Sequence, residues 1–163
     1  MKEEHNLVEN WLRVDPRRWI AGVFAGVLAI WIAFGVGGLI ASANQTPATF
    51  PIKLIGTIAL GPIATDYSMN EGLVAGATII TILAAFLGFI YSHFVYSNSW
   101  GALLPMGLVW GIFSWIFIWN LFFQSFRPIF AASVSSGAAI AVCLSFGICL
   151  ASVRFFYNLL RSR

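Results

Sequence analysis

The chain has 163 residues, 60% hydrophobic and only 9% charged, with a formal net charge of +3 and a mean hydropathy of +0.86. Soluble domains carry about 25% charged residues, so this composition excludes a water-soluble globular protein and leaves no polar mass for a second, soluble domain. The nine basic residues flank apolar runs, where headgroup anchoring explains them better than a nucleic-acid surface does.

Residues 1–18 form a polar leader. Leu7, Val8, Trp11 and Leu12 fall on one stripe, with Glu3, Glu4, Glu9 and Arg13 elsewhere, the pattern of an amphipathic helix lying along the headgroups. Asp15-Pro16 reads as a helix start, with Asp capping the free amides and Pro at the first helical position. The first apolar run, 19–41, ends at Ala41-Ser42-Ala43 and so imitates a signal peptide, but its ~22 residues exceed the usual 7–15 of a signal core. It reads as the first transmembrane helix.

The outer loop, 42–71, contains the least ordinary piece of the chain. Phe50–Ile63 is apolar but only ~14 residues long, too short to cross a bilayer. Pro51 suits a helix start and Gly61-Pro62 a stop, which predicts a short surface or re-entrant helix over 50–61. Ser68-Met69-Asn70-Glu71 has the form of a capping box before the second span, 72–95. Ser99 stands where a cap of the third span, 101–123, belongs, and Pro105 is expected to kink that helix. Pro128 restarts the chain into the fourth span, 129–155, and 156–163 is a short tail.

The fold class is therefore an all-α integral membrane protein over residues 1–163, with four transmembrane helices in a bundle, an N-terminal interfacial helix and a short outer-face helix. Lys2, Arg13, Arg17 and Arg18 precede the first span, and Arg154, Arg161 and Arg163 lie at the end of the last, whereas only Lys53 and Arg127 lie in the first and third loops. Four spans put both termini on one side, and the positive-inside rule makes that side the cytoplasm, as expected of a bacterial inner-membrane protein.

Lipid supplies no hydrophobic drive between helices, so close backbone approach must hold them together. Each span has small residues four apart: Gly22 and Gly26; Gly72 and Gly76; Gly107 and Gly111; Ser133, Gly137 and Ala141. These are the expected packing ridges. The third span also carries Trp115, Trp119, Phe122 and Phe126 at helical spacing, with Trp110, Phe113 and Phe117 adding rings. Such a stripe serves contact with another subunit, with lipid, or with a flat apolar ligand.

Few groups could carry chemistry. His93 is a candidate axial ligand, but a bis-histidine haem would need His5, far away in the polar leader. A chlorophyll-type pigment, a carotenoid or a quinone near His93, Trp115 and Trp119 is the cofactor alternative to having none. Asn120 and Gln124 share one helix face as interhelical glue. Cys143 and Cys149, six residues apart on one helix, face different ways and cannot bridge. No metal spacing, phosphate loop or Ser/His/Asp set is present, so an enzyme is not expected. The chain reads as a non-catalytic accessory or scaffolding subunit of a larger, bioenergetic membrane complex. Its expected partners are the lipid bilayer and other membrane subunits, in a hetero-complex or homo-oligomer, without nucleic acid. The alternatives are a small transporter or channel, and a pigment- or quinone-binding subunit.

Overall fold

The computed structural model describes residues 14–66, 68–95, 97–123 and 133–162, and among these it is helical with no strand. The interfacial helix expected over residues 3–13, with His5, and the loop residues Gln124, Phe126, Arg127 and Pro128 lie outside the described residues.

Helix α1 runs Pro16–Ala43. Asp15 caps it in extended backbone, its carboxylate accepting from the Arg18 amide at 3.2 Å, and Pro16 fills the first position, where no amide is needed. Helix α2 spans Phe50–Leu60 and stops at Gly61, whose φ of +71° suits glycine; a 3₁₀ turn, Pro62–Thr65, follows. Helix α3 is Asn70–Phe94 and α4 is Trp100–Ser114, which continues as a π-helix over Trp115–Phe123. Helix α5, Ser136–Cys149, passes through a 3₁₀ step, Leu150–Ser152, into α6, Val153–Arg161. Taken through these steps, four helices, Pro16–Ala43, Asn70–Phe94, Trp100–Leu121 and Ser136–Arg161, are long and apolar enough to cross a membrane; α2 is an apolar helix of shorter length.

Several local expectations are corrected. The capping box before α3 does not form. Ser68 turns both its amide (2.9 Å) and its hydroxyl (2.8 Å) back to the Asp66 carboxylate, and Met69 holds the cap position without a side-chain bond. Ser99 stands at the cap of α4 but makes no capping bond. The α-helix is continuous through Pro105 to Ser114, and from Trp115 the ring-rich segment continues in π turns. The fourth long helix runs from Ser136, where Ser135 caps it through Ala138 N at 3.2 Å, to Arg161; residues 129–132 of the expected span lie outside the described residues.

Helix α1 is the hub. Helix α3 packs along one flank, α5 and α6 along another; α2 leans on α3, and α4 packs chiefly on α5. Small residues allow this crowding. Ala21, Ala25, Ala29 and Ala33 of α1 are fully buried. A Cβ added at Gly26 would collide with the Ala84 carbonyl, one at Gly22 with Ser92 and Gly88, and one at Gly88 with the Gly22 carbonyl. Gly56 and Gly76 do the same between α2 and α3, where a Cβ at Gly76 would strike the Ile52 carbonyl, and a Cβ at Gly72 would strike the Ala64 carbonyl of the 3₁₀ turn. Gly107 and Gly147 approach each other reciprocally between α4 and α5, and a Cβ at Gly111 would lie 2.7 Å from the Cys143 carbonyl. On α5 itself, a Cβ at Gly137 would meet open space, Ser133 is exposed and Ala141 is half-buried. The close approach of that helix comes at Gly147, outside the small-residue ridge read from the sequence.

Candidate functional site

Two polar clasps frame the helices. The first joins the start of α1 to the end of α3. Arg18 is only 3% exposed. Its Nε donates to the Ser92 carbonyl at 3.0 Å, and its Nη2 donates to the carbonyls of Val95 (2.5 Å) and Ser97 (2.6 Å). A helix end leaves carbonyls without amide partners and carries partial negative charge; the planar guanidinium reaches several of them at once. The Tyr157 ring of α6 lies 5.3 Å below the guanidinium, and its hydroxyl donates to Asp15 Oδ2 at 2.8 Å. Asp15, Arg18 and Tyr157 thus close a ring of contacts among α1, α3 and α6. Nearby, Asn98 donates to Asn158 at 3.0 Å, and Arg154 covers Trp100. The fully buried Tyr91 donates to the Leu103 carbonyl at 2.9 Å, joining α3 to α4.

The second clasp is at the opposite end. Lys53, 4% exposed on α2, donates to the Asp66 backbone carbonyl at 2.8 Å, fixing the turn between α2 and α3. The Asp66 carboxyl is held below its ordinary range, first by the Ser68 amide and then by the Ser68 hydroxyl, with a smaller contribution from the Lys53 charge. Sequence reading gave Arg18 only headgroup anchoring before the first span and Lys53 only a place in a loop. A single cation within an apolar 14-mer was the available signal for Lys53.

His93 accepts a hydrogen bond at Nδ1 from Trp19 Nε1, 3.3 Å away. Indole only donates, so Nδ1 is bare and the proton sits on Nε2. A ligand bond from Nε2 would require the other tautomer and would give up Trp19. Asn120 donates to Trp115 O within its own helix, at 3.3 Å. Cys143 and Cys149 are free thiols, and the described residues contain no group of three His, Cys, Asp or Glu side chains able to hold a metal.

The rings of α4 separate onto two sides. Trp110, Phe113 and Phe117 form a ladder that starts from Tyr91, with centroid spacings of 6.0, 5.5 and 4.3 Å; Phe113 and Phe117 are exposed. Trp119 is instead 7% exposed and turned into the interior, where Trp115 packs against the same cluster. The side chain of Phe122 lies outside the described residues.

Trp119 forms part of the wall of a cavity of about 130 Å³ to which α1, α2, α3, α4 and α5 all contribute. Phe34, Leu54, Ile80, Leu83 and Phe146 also line it. Its one hydroxyl side chain is Ser114, 3% exposed, whose Oγ has no hydrogen-bond partner. A second cup of about 190 Å³, with Asn44, Thr46, Ser133 and Ser135 in its lining, shares Pro51 and Val134 with the first. No family model, curated protein or solved structure matches the chain.

Proposed function

We propose that this chain is a non-catalytic accessory subunit of a larger membrane assembly: a four-helix bundle in a bacterial inner membrane, both termini cytoplasmic, packed against other membrane proteins through apolar helix faces. The observation that carries this reading is the outward ring ladder of α4. Phe113 and Phe117 lie with ring centroids 4.3 Å apart and planes tilted by 30° on a helix that packs chiefly on α5. Fluid acyl chains gain nothing from rings held in order, whereas a second helix gains a preformed surface whose side-chain entropy is already lost. The bilayer placement draws on the four long apolar helices, and the orientation on the basic residues beside both chain ends.

The clasps support the same reading. Arg18 and Lys53 both bind backbone carbonyls at helix ends, which is the work of a rigid subunit rather than of a charge-moving path. Solubilising native membranes in mild detergent, capturing the tagged chain and identifying what accompanies it tests the proposal. Another membrane protein at fixed stoichiometry is expected, and its recovery should fall at least several-fold for the Phe113→Ala/Phe117→Ala double variant. Capture of a solitary, well-folded monomer would overturn it.

A further inference from the structure

We propose that the cavity beside Ser114 is a binding site for a ring-sized apolar group carrying a carbonyl oxygen, the chemistry of a lipid-soluble quinone head or of a lipid ester, with the Ser114 hydroxyl as donor. The volume sets the scale. Apolar cavities of about 150 Å³ stay dry and admit benzene; this one holds about 130 Å³ behind Ile, Leu, Phe and Trp side chains. That suits one ring or a short branched chain, and is far too small for a chlorin. Well-packed interiors rarely keep such voids, and the glycine seams of the same protein show its helices closing to contact elsewhere.

The hydroxyl sets the chemistry. In an apolar helix a Ser or Thr hydroxyl ordinarily turns back to a carbonyl in its own preceding turn. Thr57 does so to Leu54 O at 2.7 Å, Ser92 to Phe89 O at 2.8 Å and Thr78 to Val74 O at 2.9 Å. Ser114, as buried as Thr57 and Ser92, makes no such bond. A buried donor left unmet is unfavourable, and a carbonyl-bearing guest would meet it. The helix changes from α to π at the next residue, Trp115, and the π segment supplies Ile118 and Trp119 to the cavity wall; π turns are frequent at ligand sites.

The test uses the purified full chain in nanodiscs of ether-linked and, separately, ester-linked phospholipid, titrated with a short-tailed benzoquinone and with the alkylbenzene of equal tail length. Tryptophan quenching by the quinone should contain a saturable component that Trp119→Phe removes. Ser114→Ala should weaken quinone binding about tenfold, one hydrogen bond's worth, while leaving alkylbenzene protection against thermal unfolding unchanged. Ser114→Leu, which fills the space, should abolish both; should that variant fail to fold, the Ser114→Ala pair of titrations still decides. Equal quinone binding in the two lipids assigns a quinone as the natural guest, and suppression in ester-linked lipid assigns the lipid carbonyl. Absence of a saturable component in ether-linked lipid, or identical quinone affinity for wild type and Ser114→Ala, overturns the site. The nanodisc holds the chain alone, so neither result depends on whether the protein has a subunit partner.

Discussion

Helix α3 has two unlike sides. Toward α1 and α2 its backbone is in close contact with its neighbours at Gly72, Gly76, Ala84 and Gly88. Toward the bundle interior it presents Ile79, Ile80, Leu83 and Leu87, and a cavity remains. Both sides are apolar, so hydrophobicity does not distinguish them. In hydrocarbon the lipid competes equally for any apolar face, and dispersion between closely approaching backbones decides which faces meet. Small residues at every fourth position let α1 and α3 close; branched chains and Trp119 line the space that remains inside, and Tyr91 joins α3 to α4 at one end.

The strongest way to break this contrast is to open the tight seam. Gly26→Leu places a side chain where the Ala84 carbonyl already stands, and neither backbone can yield without parting α1 from α3. Overpacking costs typically 1–3 kcal/mol and occasionally more; at a backbone-to-backbone contact we expect more than about 3 kcal/mol, seen as loss of a cooperative unfolding transition in detergent. Gly137→Ala is the matched control. It meets open space on a helix, so it should be neutral or stabilise by up to about 1 kcal/mol through helix propensity. A destabilised Gly137→Ala, or a tolerated Gly26→Leu, would remove backbone proximity as the explanation.

Next in size is the clasp that locks the closed seam at its end. Arg18→Ala strips partners from the carbonyls of Ser92, Val95 and Ser97. With about 1–3 kcal/mol for each buried acceptor left unmet and some relief from water at the helix end, we expect a loss of about 2–4 kcal/mol in thermal or denaturant unfolding. Arg18→Lys should recover less than half of it, since an ammonium cannot span three carbonyls as a planar fork does. Tyr157→Phe removes the bond to Asp15 and should cost about 1–2 kcal/mol. Full recovery in Arg18→Lys would mean that charge alone matters at this position.

The two sides of α3 also mark how far the sequence could be read. The four long apolar helices and the short α2 stand out by length and hydropathy, because insertion into hydrocarbon depends on each segment by itself. Partnership between segments does not. Spacing by four marks a small-residue ridge without naming its neighbour: Gly22 lies against Ser92 and Gly88, whereas Gly137, on equal spacing, lies against nothing, and Gly147 meets Gly107 from outside any ridge. Trp115 and Trp119 read as an aromatic stripe open to three uses, contact with a subunit, lipid or a ligand, and spacing does not say that Trp119 is turned inward while Phe113 and Phe117 face out. Arg18 stood before the first span as a headgroup anchor, and only the fold shows that α3 ends within its reach. The cavity is a property of what five helices fail to fill, and no local pattern encodes it.

The smallest expected effect lies where the closed side of α3 begins, in the turn held by Lys53. Asp66 is fully exposed and receives the Ser68 amide and hydroxyl, which lower its carboxyl from the ordinary 3.8. A group with a depressed folded value contributes its stability above the unfolded value and loses it as pH falls through the folded one. The turn should therefore be unaffected from neutral pH down to the ordinary carboxylate range and loosen only below it. A carboxyl-detected NMR titration should place the Asp66 midpoint under 3.8, and Ser68→Ala should move it up toward that value by removing the hydroxyl donor. Asp66→Asn should leave the turn closed at all these pH values, because Lys53 holds the backbone carbonyl of residue 66 and not its side chain. Were Asp66→Asn to open the turn at neutral pH, the carboxylate rather than the lysine clasp would be what keeps α2 against α3.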